Sequence, residues 1–232
     1  MKVVAAHQPQ YLPWQPFIGK AAGADILIYL DNVQFHRRGV QNRNAIKGAS
    51  GPLNLTVPVI ASRNCLIKDV RLAEPRWARK HIGAVRHSYA HAPYIDWFDD
   101  GLRPVLERPW VFLVDLNVAV TAWMFELLGV NCTCVLASEL RCEGKREDLI
   151  LSLCQAVGAT VYLSGEGARA YQEPSKFHQR GIDLKYQRYV QQPYSQQRPD
   201  LGFISDLSAL DLLLNAGPEA KAIFRNGQRE PE

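Results

Sequence analysis

Residues 3–30 read VVAAHQPQYLPWQPFIGKAAGADILIYL, and the reading of this stretch decides the fold. Val3 to Ala6 is an apolar run of strand length, and DILIYL, residues 25–30, is a second one. Between them Phe17 to Ala24 has the length of a short helix. Strand, short helix and buried strand make a βαβ unit, which opens a parallel sheet. The first strand and the helix are joined by HQPQYLPW, residues 7–14. A plain linker would use Gly, Ser, Asn or Lys, and a helix start needs one cap and one proline. Two prolines around so many polar side chains describe a rigid loop that holds a hydrogen-bonding surface in place.

Outward from this unit the pattern changes. NRNAIKG, LNLTVPV and IKDVRL are short alternating segments separated by Gly, Pro and Asn, which predicts a small antiparallel excursion around residues 40–72. Helical stretches follow at Pro75 to His91, Tyr94 to Leu106 and Trp110 to Leu128, the last closed by Gly129. Cys132 to Ala137 (strand), Lys145 to Val157 (helix) and Thr160 to Leu163 (strand) give a second βαβ signal. SGEGARAY is expected to begin a helix and IDLKY to form a late strand. SDLSALDLLLNAG reads as a capped amphipathic helix closed by Gly217, GPEAKAIF starts another, and NGQREPE is expected to fray. The predicted fold is α/β, a mostly parallel central sheet flanked by helices. No repeat or linker interrupts residues 1–232, which are expected to form one domain.

The composition, 47% hydrophobic and 22% charged, is ordinary for a soluble globular protein. The net charge of +4 comes with basic residues interleaved among acids, as in RCEGKREDL. That argues against nucleic acid as a stable partner and suits an anionic small-molecule substrate or activated donor. No apolar run reaches the roughly 18 residues of a membrane span, since Val111 to Val130 is interrupted by Asp115, Asn117 and Glu126. The N-terminal apolar run is too short for a signal peptide, so a cytoplasmic location with five reduced cysteines is expected. Cys132 and Cys134 read as small buried hydrophobes in a strand, and His81, His87 and His91 as a solvated helix face; no metal site is expected.

Three stretches can carry chemistry. His7 lies just past the C-terminal end of the first strand, where open α/β sheets place ligands, and suits an acid–base role. Gln8 and Tyr11 supply directed hydrogen bonds and Trp14 a flat stacking face. In YLDNVQFHRRGVQNRNAIKG, residues 29–48, Asp31 ends the second strand and can share a rim with His7. Gln34, Asn42, Arg43, Asn44 and Lys47 follow; a guanidinium between two amides is a good clamp for carboxylate or phosphate. YLSGEGARAY runs from a strand into a glycine-rich turn, so Ser164, Gly165 and Gly167 can offer backbone amides to an anion. It matches neither the P-loop nor a dinucleotide fingerprint, and no cofactor is specified.

HQPQYLPW, LDNVQF, NRNAIKG, YLSGEGARAY and LSALDLLLNAGPEA together resemble the WbqC-like protein family, in the same order and nearly end to end. The resemblance implies a bacterial biosynthetic enzyme of surface-polysaccharide or secondary-metabolite synthesis, a transferase placing an acyl or aminoacyl group on an amino sugar or similar amine. An adenylate-forming or nucleotidyl-transferring enzyme and a non-catalytic binder of nucleotide sugars or of a partner protein remain alternatives. Two positions depart from the family pattern. Pro16 stands where a glycine is usual, and Asn32 where a second acid follows Asp31. The latter leaves one carboxylate at the strand end, available to orient His7 or an incoming amine.

Overall fold

VVAAH forms β1 (Val3–His7), and the chain returns through α1 (Gln15–Ala22) to β2 (Ile26–Tyr29), parallel to β1, in the computed structural model, which describes residues 1–74 and 76–232. The helix begins earlier than expected because Pro16 sits in its first turn, where a missing N–H costs nothing. The antiparallel excursion follows: β3 (Arg43–Lys47) pairs with β4 (Pro52–Thr56), and β5 (Val59–Ile60) with β6 (Arg71–Leu72).

Of the three expected helices the first is continuous, as α2 (Arg76–Ser88); its expected start, Pro75, lies outside the described residues. The second is broken into α3 (Ile95–Trp97), a π-helical turn at Phe98–Leu102 and α4 (Arg103–Leu106). Pro104 removes one hydrogen-bond donor, and Gly101 lies so close to Trp123 that an added Cβ would fall 2.3 Å from the indole nitrogen. The third, α5 (Leu113–Leu128), starts late because Phe112 is extended and bridges Arg71 of β6. Gly129 closes α5 in the left-handed region at φ 67°.

The chain continues through β7 (Thr133–Leu136), α6 (Glu147–Ala156), β8 (Val161–Gly165), α7 (Pro174–Gln179), β9 (Asp183–Tyr189), α8 (Ala209–Ala216), α9 (Ala220–Gly227) and β10 (Gln228–Arg229). Two expectations are corrected here. SGEGARAY does not open a regular helix; Glu166–Ala168 make a single 3₁₀ turn that follows Gly165 and contains Gly167. The tail does not fray: β10 pairs antiparallel with β9, and Glu232 exchanges backbone hydrogen bonds with Tyr186.

The sheet order is β10-β9-β8-β1-β2-β7, parallel except at β10. Alternation along the strands divides the apolar side chains between two cores. Ala5, Leu27, Tyr29 and Leu163 face Phe17 and Ile18 of α1 and Leu116, Val120 and Met124 of α5. Val4, Ala6, Ile28 and Tyr162 face Leu149 and Leu153 of α6 and Phe177 of α7. A parallel sheet covered on both faces is the mostly parallel α/β architecture read from the sequence. From β1 the chain winds toward β2 and β7, then crosses back to β8 and winds outward to β9. The winding reverses between β1 and β8, and a crevice beyond their C-terminal ends is where such folds bind ligands. No helix among the described residues is long and apolar enough to cross a membrane.

Candidate functional site

The loop from His7 to Trp14 is held in shape by more than its prolines. Leu12 adopts φ 46°, a left-handed conformation unfavourable for a leucine. It is secured from the hairpin, where Asn44 donates its Nδ2 to Leu12 O at 2.6 Å, and beside it Tyr11 N–H reaches Val40 O at 3.2 Å. Gln41 donates its side-chain amide to Gln8, and Asn117 of α5 donates to Gln41 O at 2.7 Å. The loop is thus clamped between β3 and α5. Around it Gln10 Oε1, Gln41 Oε1, Asn42 Oδ1 and Asn117 Oδ1 are buried acceptors without a hydrogen-bond partner among the described residues.

At the winding reversal, His7 ends β1 and Gly165 ends β8. His7 Nδ1 lies 2.9 Å from Gln8 O, a contact that fixes the proton on Nδ1 and leaves Nε2 as an acceptor. The ring stands edge-on to Phe17, centroids 5.0 Å apart. Burial, with the neighbouring Lys20 ammonium, lowers its pKa to about 3, so the ring is neutral around pH 7.

Lys20 completes this corner. It lies three residues after Phe17, on the buried stripe of α1, and only 5% of it is exposed. Side chains on a helix lean toward its N-terminus, so Lys20 reaches back to the strand ends. There Nζ donates to Ala6 O at 2.9 Å. Burial pushes its pKa down to about 7, and no carboxylate among the described residues pairs with it. A Cβ built on Gly165 would meet nothing within 4 Å except Lys20 Nζ, at 3.9 Å. The amine therefore borders open space over the end of β8. Sequence reasoning missed Lys20; the available signal was a lysine on the apolar stripe of a short helix.

The other residues singled out hold positions of their own. Asp31 is 1% exposed and accepts both the N–H and the hydroxyl of Ser138, tying the ends of β2 and β7 together. Trp14 is half-buried, its backbone bridged to Ser208. Tyr11 is fully buried, its hydroxyl 2.8 Å from His81 Nδ1, its ring against Trp77. His81 is consequently core, which corrects the expectation of a solvated face; His87 and His91 are exposed. Asn42 braces the hairpin by donating to Val57 O. Arg43 is half-exposed and donates to Arg38 O at 2.8 Å; among the described residues no carboxylate pairs with it. Gln34 is exposed and donates to Asn64.

Lys47 belongs elsewhere. Its ammonium donates to Gly202 O at 2.6 Å and Gln196 Oε1 at 3.1 Å. Beside it the buried Asp211 carboxylate accepts from Tyr89, Tyr194 and Gln196, each at 2.7 Å. Burial raises the pKa of Asp211 despite these donors. Ser164 is buried on the opposite face of β8 from Gly165, and Gly167 lies exposed in the following turn.

Cys134 is exposed and Cys132 half-buried against the core, which corrects their reading as buried; β7 is an edge strand, and the two sulfurs lie 3.9 Å apart. Their hydrogen bond lowers the Cys134 pKa to about 7. Among the described residues no cluster of three or more His, Cys, Asp or Glu is placed to hold a metal ion.

A model of the WbqC-like protein family matches residues 8–223. A relative, Uncharacterized protein Rv1507c of Mycobacterium tuberculosis, is 31% identical over 229 residues, 97% of this chain and 98% of the relative.

Proposed function

The chain belongs to the WbqC-like protein family, and from that premise we propose that it transfers an acyl or aminoacyl group to an amino sugar or similar amine in bacterial surface-polysaccharide or secondary-metabolite synthesis. The observation that carries this reading is the corner at the winding reversal. A neutral imidazole and a buried amine without a counter-ion stand beside open backbone at Gly165. A donor group over Gly165 would lie beside the Lys20 amine. His7 Nε2 can accept a hydrogen bond from the acceptor substrate. Arg43 and the neighbouring Arg37 and Arg38 add positive charge for a nucleotide-linked acceptor.

The location also favours a second reading, nucleotidyl transfer, because this crevice is the usual nucleotide position in doubly wound sheets. The deciding experiment is a mass-spectrometric search for co-purified ligands, followed by an assay. UDP- and dTDP-linked amino sugars serve as acceptors, and acetyl-coenzyme A and aminoacyl thioesters as donors. A mass gain on the sugar supports acyl transfer. Pyrophosphate release from a nucleoside triphosphate in its place supports the second reading, and neither event leaves the enzyme reading without support.

A further inference from the structure

We propose that Lys20 is a catalytic residue of this site, the proton acceptor for an amine attacking an acyl donor seated over Gly165. The inference rests on the acyl-transfer reading and names the base which that reading lacks. In the reaction the acceptor nitrogen bonds to the acyl carbon and the bond from that carbon to the leaving group breaks, its electron pair staying with the leaving group. The proton released by the nitrogen passes to Lys20 Nζ and from there to the leaving group. Amine and donor become amide and protonated leaving group, and no further reactant is needed.

Geometry selects Lys20 over the two groups the sequence suggested. Both oxygens of Asp31 are taken by Ser138, at 2.9 and 2.6 Å. His7 is too weak a base to keep a proton near neutrality. Lys20 Nζ is fixed by one carbonyl, Ala6 O at 2.9 Å, and its remaining side borders the open space at Gly165. A pKa of about 7 matches the working pH of a general base.

The groups around α1 keep it so. From β1 the titratable neighbour is His7, neutral around pH 7, so the lowering of the Lys20 pKa comes from burial. β8 presents the uncharged Gly165, and Glu166 beyond it is paired with Arg169 at 2.7 Å. From β9 come Gln187, bonded to Pro16 O, and Tyr189, held protonated by burial and bonded to Gln15; Lys185 lies 4.0 Å from Asp183. Gln228 closes the far side by donating to Gly19 O. No free carboxylate among these neighbours holds Lys20 charged.

Three measurements test the proposal. Carbon-detected NMR of wild-type protein carrying [ε-¹³C]lysine titrates each lysine without a variant, and Lys20 is expected to change charge near neutrality while surface lysines do so at about 10.4. The pH profile of transfer between the UDP- and dTDP-linked amino sugars and the acyl donors should rise through neutrality to a plateau. Lys20→Met and Lys20→Arg, each checked for folding, should lower kcat/KM about 10²–10⁴-fold. Lys20 titrating with the surface lysines, a profile that falls with pH, or full activity in Lys20→Arg would each overturn the proposal. Should both variants fail to fold, the wild-type titration and profile decide it. Wild-type protein that transfers nothing would overturn the acyl-transfer reading itself, whereas transfer unaffected by both variants overturns only the role of Lys20.

Discussion

Ser138 gives Asp31 both its backbone N–H, at 2.9 Å, and its hydroxyl, at 2.6 Å, and so ties the loop after β7 to the end of β2. The carboxylate is fully engaged in holding two strand ends in register. Hydrogen bonds to a charged group contribute about 1.5–3 kcal/mol, so Asp31→Ala should destabilise by that order in urea denaturation, and Asp31→Asn by less. An unchanged urea midpoint in Asp31→Ala would show that the tie is energetically idle.

His7 should behave as a neutral hydrogen-bonding group. Its folded pKa of about 3 lies below the unfolded value of about 6.5, so the unfolded chain binds more protons between them. The stability contributed by neutral His7 is complete above about pH 6.5 and declines as the pH falls toward 3. His7→Asn should flatten that decline in thermal melts between pH 4 and 7. It should also lower transfer while leaving the pH of the rate inflection in place; a moved inflection would make His7 the titrating base.

Arg43 and Lys47 lie on the same strand but should separate cleanly. Arg43→Ala is expected to weaken an anionic ligand by about 2–3 kcal/mol with little change in melting temperature, as loss of a charge-assisted contact would. Calorimetry with nucleotide sugars reads it. Lys47→Met should do the reverse, because its ammonium bonds Gln196 and Gly202 beside Asp211.

Gly165→Ala probes the open space directly. The added Cβ meets only Lys20 Nζ, at an ordinary 3.9 Å, and Gly165 is extended rather than left-handed. The variant should fold as stably as wild type while raising KM for the donor. Equal KM values would move the donor away from β8.

The βαβ opening, the hairpin excursion and the Gly129 cap were legible because periodicity and turn chemistry are local. The fate of single polar residues on helices was not. Lys20 and His81 sit on apolar stripes of α1 and α2, and only the packed neighbours decide that one reaches a strand end and the other a tyrosine. His7 and Gly165 could be placed on a common rim because strand ends are visible in sequence. Tyr11 shares that loop yet turns inward, since a side chain's direction in an irregular segment follows from tertiary contacts. The tail was misread for a similar reason: polar residues pair readily when a strand edge is waiting.

That last pairing governs how the molecule meets its own copies. Without β10, the outer rim of β9 would present bare amides and carbonyls, a template for strand exchange between molecules. Glu232 reinforces the cover by ion pairs to Arg169 at 3.2 Å and Arg188 at 2.7 Å. The C-terminal residues therefore act as a selvedge, finishing the weave so that it does not catch on its neighbour. Trimming residues 228–232, or forcing them outward with a fused tag, would convert that margin into an adhesive one.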